Sequence, residues 1–211
     1  MKKLIAMLLA LVMMMSLVAC GENTDGTTTV PTNPSNPTNP SEPTEPTEPT
    51  NPAIQLPASA QEMMQTIYDG WDFEYKAYMY GGGPATPVDG APGALNLTST
   101  DDTDFLKYIL NVPEANAGDV VSASDLYGMN MNSFTAVALQ VNDAAAFAAV
   151  MEQVLTTSQF TCGVPEQLLM YTLGNGYVLY AIGTADNMTL FSGAVTAAYP
   201  EVVEILNAPV A

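Results

Sequence analysis

From Pro57 onward the apolar residues follow two periods, and each period marks an element. Met63, Met64, Ile67 and Tyr68 recur at helical spacing behind Ser59 and Glu62, which fit a capping box, so a helix is predicted as far as Gly70. Trp71, Phe73, Tyr75 and Ala77 then alternate with Asp72, Glu74 and Lys76, the period of a half-buried strand, which Tyr78 to Tyr80 extend. Gly81 to Gly93, GGGPATPVDGAPG, interrupts both periods and reads as a loop. A short strand around Ala94–Leu97 follows. Next comes a helix from about Asp101 to Leu110, with acids in its first turn and Phe105, Leu106, Ile109 and Leu110 on one side. Pro113 to Gly118 breaks the chain again.

The C-terminal half is patterned more sharply. Phe134–Val141, FTAVALQV, is β-rich and apolar at successive positions, as in a central strand covered on both faces. Asn142 or Asp143 caps a helix whose Phe147, Val150, Met151, Val154 and Leu155 follow the i, i+3, i+4, i+7, i+8 pattern. Gln167–Leu173 and Tyr177–Gly183 flank Gly174-Asn175-Gly176, a three-residue hairpin signal. Asp186 or Asn187 starts a helix carrying Met188, Phe191, Val195 and Ala198, and Pro200 opens a last short helix through Leu206. The order β-α-β-β-α predicts an α+β domain over residues 57–211. Its expected form is a mostly antiparallel sheet with helices packed on one face, in ferredoxin-like order. The strand order of the first half stays open.

Ahead of this domain the pattern changes twice. Lys2 and Lys3 precede an apolar run from Leu4 to Leu17, the layout of a secretory signal and shorter than the ~20 residues of a bilayer span. The run ends in Leu17-Val18-Ala19-Cys20, and small residues before a cysteine at this place resemble the lipobox of bacterial lipoproteins. The resemblance implies that residues 1–19 are a cleaved signal peptide and that the Cys20 thiol carries a diacylglyceryl group. The chain would then sit on the outer face of the bacterial cytoplasmic membrane. An ordinary signal peptide with an incidental cysteine is the alternative. Residues 20–56 form a spacer in which proline recurs at every third position from Pro31 to Pro52. Proline has no amide donor and fixes φ, and the intervening Thr, Asn, Ser and Glu cannot make a core. Polyproline II is the natural conformation, rising ~3.1 Å per residue, so these 22 residues reach up to ~70 Å. A stalk is one reading of this segment. A proline-rich ligand for a partner domain is the other.

Composition narrows the function. The 211 residues hold 22 Asp plus Glu, four Lys plus Arg and no His, for a formal charge of −18, and every cation is a lysine: Lys2, Lys3, Lys76 and Lys107. A chain this acidic has no surface for tracking phosphates, which excludes nucleic acid as a partner. Without histidine, Ser-His-Asp and Cys-His catalysis and histidine-based metal sites are unavailable. Only Cys20 and Cys162 are present, so no disulfide framework holds the domain. A fatty anchor would have to hold the chain at a membrane without polybasic help, and two or more acyl chains suffice where one does not.

One long stretch carries a further likeness. VVSASDLYGMNMNSFTAVALQVNDAAAFAAVMEQVL, followed by FTCGVPEQLLMYTLGNGYVLYAIG, resembles an uncharacterised family of small lipoproteins from Gram-positive anaerobes. The shared features are a Met-containing extended segment, a strand, an amphipathic helix, an aromatic-x-Cys step and a hairpin, over roughly Asp119 to Pro200. The family's basic residues in the strand-to-helix region and before the cysteine are absent here. The resemblance implies fold and location and brings no catalytic residue.

Five groups carry candidate chemistry. Trp71, Tyr78 and Tyr80, with Phe73 and Tyr75, could form an aromatic platform for peptide or glycan, Tyr78 and Tyr80 foremost, although alternation also explains Trp71, Phe73 and Tyr75 as the core face of a strand. Asp101, Asp102 and Asp104 supply carboxylates for calcium, without the twelve-residue EF-hand pattern, and equally suit a helix N-terminus. Cys162 could be a reactive thiol, but Lys76 and Lys107 are the only domain cations that could hold a thiolate, and a buried cysteine is the plainer reading. Met129 and Met131, which face one side of an extended segment, could with Met63, Met64 and Met151 offer thioethers to copper(I), or fill core gaps. No spacing marks a carboxylate pair as a glycosidase. The expectation is therefore a display domain that binds an envelope protein, peptide or glycan, with no catalytic residue and no cofactor. A small cell-surface hydrolase using carboxylates or Cys162 is the alternative.

Overall fold

The computed structural model describes residues 56–158 and 165–210. The predicted signal, Cys20, the proline spacer and Cys162 lie outside them. The domain is α+β, as its periods predict. Helix α1 spans Ala60–Gly70, α2 Thr100–Tyr108, α3 Ala144–Thr157 and α4 Ala185–Ala198. Short strands β1 (Tyr80–Gly81), β2 (Val88–Asp89) and β3 (Gly93–Ala94) precede β4 (Val120–Tyr127), β5 (Phe134–Val141), β6 (Gln167–Leu173), β7 (Tyr177–Gly183) and β8 (Val203–Pro209). They form one sheet in the order β2-β1-β4-β5-β7-β6-β8, with β3 also on β4, and every pairing is antiparallel. No helix among the described residues is long and apolar enough to cross a membrane.

Local chemistry sets the element ends. The Ser59 hydroxyl accepts from the Glu62 amide, while the Glu62 carboxylate reaches back to the Ala58 amide at 2.6 Å, one residue beyond the usual partner. The first amide of α1, on the buried Ala60, donates to Ser122 Oγ, which ties the helix start to β4. Asp143 caps α3 by accepting from the Ala146 amide, and Thr184, rather than Asp186 or Asn187, caps α4. The β6–β7 hairpin turns at Gly174-Asn175-Gly176, where Gly174 takes φ +55°, a left-handed conformation that glycine adopts without penalty.

The sheet is covered on both sides, which corrects the expectation of helices on one face. Even-numbered residues of β5 and odd-numbered residues of β7 (Phe134, Ala136, Tyr177, Leu179) pack with Met63, Met64 and Ile67 of α1 and Phe191 and Val195 of α4. The alternate residues (Val137, Val141, Val178, Tyr180) pack with Leu106 of α2 and Phe147, Met151 and Leu155 of α3. Handedness explains the difference. Strands β5 and β6 are parallel with β7 between them, and β7 and β8 are parallel with β6 between them. Both crossovers move the same way along the sheet, but from strands of opposite direction. Right-handed connections then put α3 and α4 on opposite faces. In ferredoxin-like order the last strand would return beside the first strand of the unit, here β5. That place is taken by β4, so β8 adds at the far edge instead.

Two further expectations are corrected. Trp71 to Met79 is not a strand; it is a turn followed by a 3₁₀ helix, Lys76–Tyr78, and β1 begins only at Tyr80. Its aromatic alternation comes from ring stacking: Trp71 lies 4.7 Å from Phe73 and 4.7 Å from Phe134, and meets Phe191 edge-on at 5.5 Å. Residues after Pro200 form strand β8 rather than a helix, since Val203, Glu204, Leu206 and Asn207 find partners in β6. The β8 edge is blunted by a register shift opposite Met170/Tyr171 and by Pro209, which has no amide to offer.

Candidate functional site

The aromatic set predicted as a platform is split by the fold. Trp71 is 1% exposed and belongs to the core, its indole Nε1 buried without a hydrogen-bond partner among the described residues. Tyr80 is half-buried in β1 and stacks on Tyr127, ring centroids 6.1 Å apart. Only Tyr78, 75% exposed, and Tyr75, 58% exposed, present their rings to solvent. Their turn is firmly braced. The Lys76 ammonium donates to the carbonyls of Tyr68 and Trp71 at 3.1 and 2.9 Å, closing the C-terminal end of α1, and lies 5.0 Å from the Tyr68 ring centroid. The Tyr68 hydroxyl donates to the Gly90 carbonyl at 2.7 Å, tying the same turn to the loop after β2.

The three acids of the calcium candidate are also separated. Asp101 is exposed on α2, and Asp104 pairs with Lys107 at 2.8 Å. Asp102 is fully buried and already saturated. Its carboxylate accepts from the Ala85 amide at 2.7 Å, the Thr86 hydroxyl at 2.8 Å and the Asn96 amide at 2.7 Å. It pins the glycine-rich turn rather than waiting for a cation. No group of three or more acidic or cysteine side chains among the described residues could hold a metal.

The turn rests on a second buried acid that the sequence reading passed over. Asp125, in the middle of β4, is fully buried, and its Oδ1 accepts from the Gly82 amide at 2.6 Å. Its Oδ2 has no hydrogen-bond partner among the described residues. Burial raises this carboxyl to about 7, and the charge of Asp102 adds to the rise, while the Gly82 and Asp125 amides pull it down. Tyr127, two residues along on the same face, is raised by burial and by the charges of Asp125 and Asp89. Phe105 of α2 lies over Tyr127, centroids 6.1 Å apart. The close approach needs glycine. A side chain at Gly83 would strike the Asp102 carboxylate, and one at Gly81 or Gly93 would strike the other's backbone segment. The visible signal was a lone acid in an otherwise small and apolar strand, VVSASDLY, at a position that alternation sends inward.

Both lysines of the described residues are thus committed, Lys76 to helix carbonyls and Lys107 to Asp104. Neither bonds Asp102 or Asp125. Met129 and Met131 lie in the β4–β5 connection, Met129 87% exposed and Met131 packed against the α2/α3 core, so they do not share one side of an extended segment. What remains is an acidic chain whose braced turn presents Tyr75 and Tyr78, with Tyr108 exposed on α2, beside a glycine turn clamped by two buried carboxyls. No protein-family model, curated protein or solved structure matches the chain.

Proposed function

We propose that this chain is a lipid-anchored extracytoplasmic protein, held at the outer face of a bacterial cytoplasmic membrane through Cys20. A proline-rich spacer carries its acidic domain, which binds an envelope protein, peptide or glycan and catalyses nothing. The observation that carries the proposal is the order of Lys2-Lys3, the apolar run and Leu17-Val18-Ala19-Cys20, followed from Pro31 by proline at every third residue. The likeness to small Gram-positive lipoproteins points the same way. Support for binding comes from Tyr75 and Tyr78, which offer rigid amphipathic contact area on a braced turn. With Lys76 and Lys107 already engaged, the partner chemistry that suits this surface is neutral or cationic.

The test has two arms on the full chain. Labelled fatty acid should enter the wild type and not Cys20→Ala, and a component of detergent-solubilised envelope should be retained on immobilised wild type and not on immobilised Tyr75→Ser/Tyr78→Ser. Equal acylation in both chains would end the anchor. Equal retention would end the tyrosine surface. One observation favours the hydrolase alternative, the Asp125–Asp102 pair with one carboxyl raised to about 7, a suitable value for a general acid. Burial of both groups beneath the glycine turn weighs against it.

A further inference from the structure

The segment between β1 and β2 is held by two carboxyls and by little else. The Thr86 amide closes the turn onto the Gly83 carbonyl at 2.9 Å, and its hydroxyl, with one proton to share, lies 2.8 Å from both the Ala94 carbonyl and Asp102. Asp102 adds the Ala85 amide, and Asp125 takes the Gly82 amide. Gly82 sits at φ +77°, a conformation that costs other residues free energy, so this turn is set by its anchors and not by local preference.

The surroundings of Asp125 are unusual for an anchor. From α2 it faces Asp102. From β7 it faces Tyr180, whose buried hydroxyl donates to the Leu110 carbonyl. From β4 it faces Tyr127, which is itself under the charge of Asp89 in β2 and beside Tyr80 in β1. β3 contributes only Gly93 and Ala94 opposite it. No cation is among these groups, and Oδ2 is buried without a partner among the described residues. A neutral carboxyl suits such a place. An ionised one is a desolvated charge next to a second carboxylate, and water reaches it only if the turn lifts.

We propose that Asp125 is a proton-operated latch on the turn from Gly81 to Thr86: neutral, it holds the turn closed through Gly82, and charged against Asp102 it drives the turn open. Opening frees the β1 end that carries Tyr80 and loosens the strip between Tyr78 and Asp89. The latch is independent of whatever Tyr78 binds, because it follows from the carboxyl pair and the glycine turn alone.

Hydrogen–deuterium exchange on the full chain tests it. Opening releases one proton between the ordinary aspartate range, near 4, and about 7, so protection of the turn should fall about tenfold per pH unit across that range and then level. Protection is compared after correction for intrinsic exchange, and against peptides from β5 and β7. The wild type should show this fall at the turn, at lower protection than the central strands, and Asp125→Asn should abolish it. Flat protection in the wild type, an unchanged slope in the variant, or a turn that exchanges at the same rate as β5 and β7 at every pH would each overturn the latch. Should the variant misfold, the carboxyl ¹³C titration of Asp125 in the wild type decides: a midpoint near neutrality sustains the proposal, and one below pH 5 overturns it.

Discussion

The Tyr177 hydroxyl donates to the Pro57 carbonyl at 2.6 Å, joining residues 120 positions apart in a buried contact. Tyr177 opens β7 beside the hairpin turn, and Pro57 is the first buried residue before α1. Substituting Tyr177→Phe keeps the ring but leaves a buried carbonyl unpaired, which costs about 1–3 kcal/mol. Denaturant melts should show that loss. Limited proteolysis should cut further into the start of α1 in the variant than in the wild type.

Asp125 predicts a stability profile that runs against the usual carboxylate trend. Its carboxyl is raised in the folded chain to about 7 from an ordinary value near 4, so the folded state holds the extra proton between those limits. Stability is therefore fully present below pH 4, declines as the pH rises toward 7 and is level above that. The span of the effect is roughly 4 kcal/mol at most. Asp125→Asn should flatten the profile and exceed the wild type in melting temperature at pH 8. A wild-type profile that instead rises from pH 4 to 7 would refute the assignment.

Asp102 should behave as a structural clamp and not as a metal ligand. Asp102→Ala strands the Ala85 and Asn96 amides and the Thr86 hydroxyl, at about 1–3 kcal/mol for each group left buried. Thermal melts should place Asp102→Ala far below wild type, with Asp101→Asn close to it. Millimolar calcium should leave all three melting temperatures unmoved, and a rise with calcium in the wild type alone would restore the cation reading.

Trp71 tests the aromatic core. Trp71→Ala removes a fully buried ring stacked on Phe73 and Phe134, a change that costs about 3–5 kcal/mol. Trp71→Phe discards an indole N–H that has no partner among the described residues, so it should cost distinctly less despite the lost volume. Equal losses in the two variants would mean that the indole nitrogen is hydrogen-bonded in solution.

The parts legible from sequence are those whose signals are local. The α3 periodicity, the Gly174-Asn175-Gly176 turn and the doubly apolar β5 each depend on residues close together in the chain, and each stands where the pattern put it. Trp71-Phe73-Tyr75 misled because rings that stack through space can imitate the alternation of a strand. The stretch around Glu201–Leu206 misled because an edge strand exposes most of its side chains and so loses the period-two signature. Which face α4 takes depends on where β8 joins the sheet, a relationship no window of sequence contains. Asp101, Asp102 and Asp104 look alike in the chain, and only the path of the Gly81–Thr86 turn singles out Asp102.

A sheet roofed by two helices above and two below keeps no broad plane free for a partner. Contact with the sheet itself is therefore left to its margins, as by the bow of a boat and not its deck. One margin ends in a strand whose proline cannot donate to a newcomer; the other ends in two-residue strands, a glycine turn and bare tyrosines. Of the two, the second is the place where sequence change could retarget this molecule without disturbing its interior.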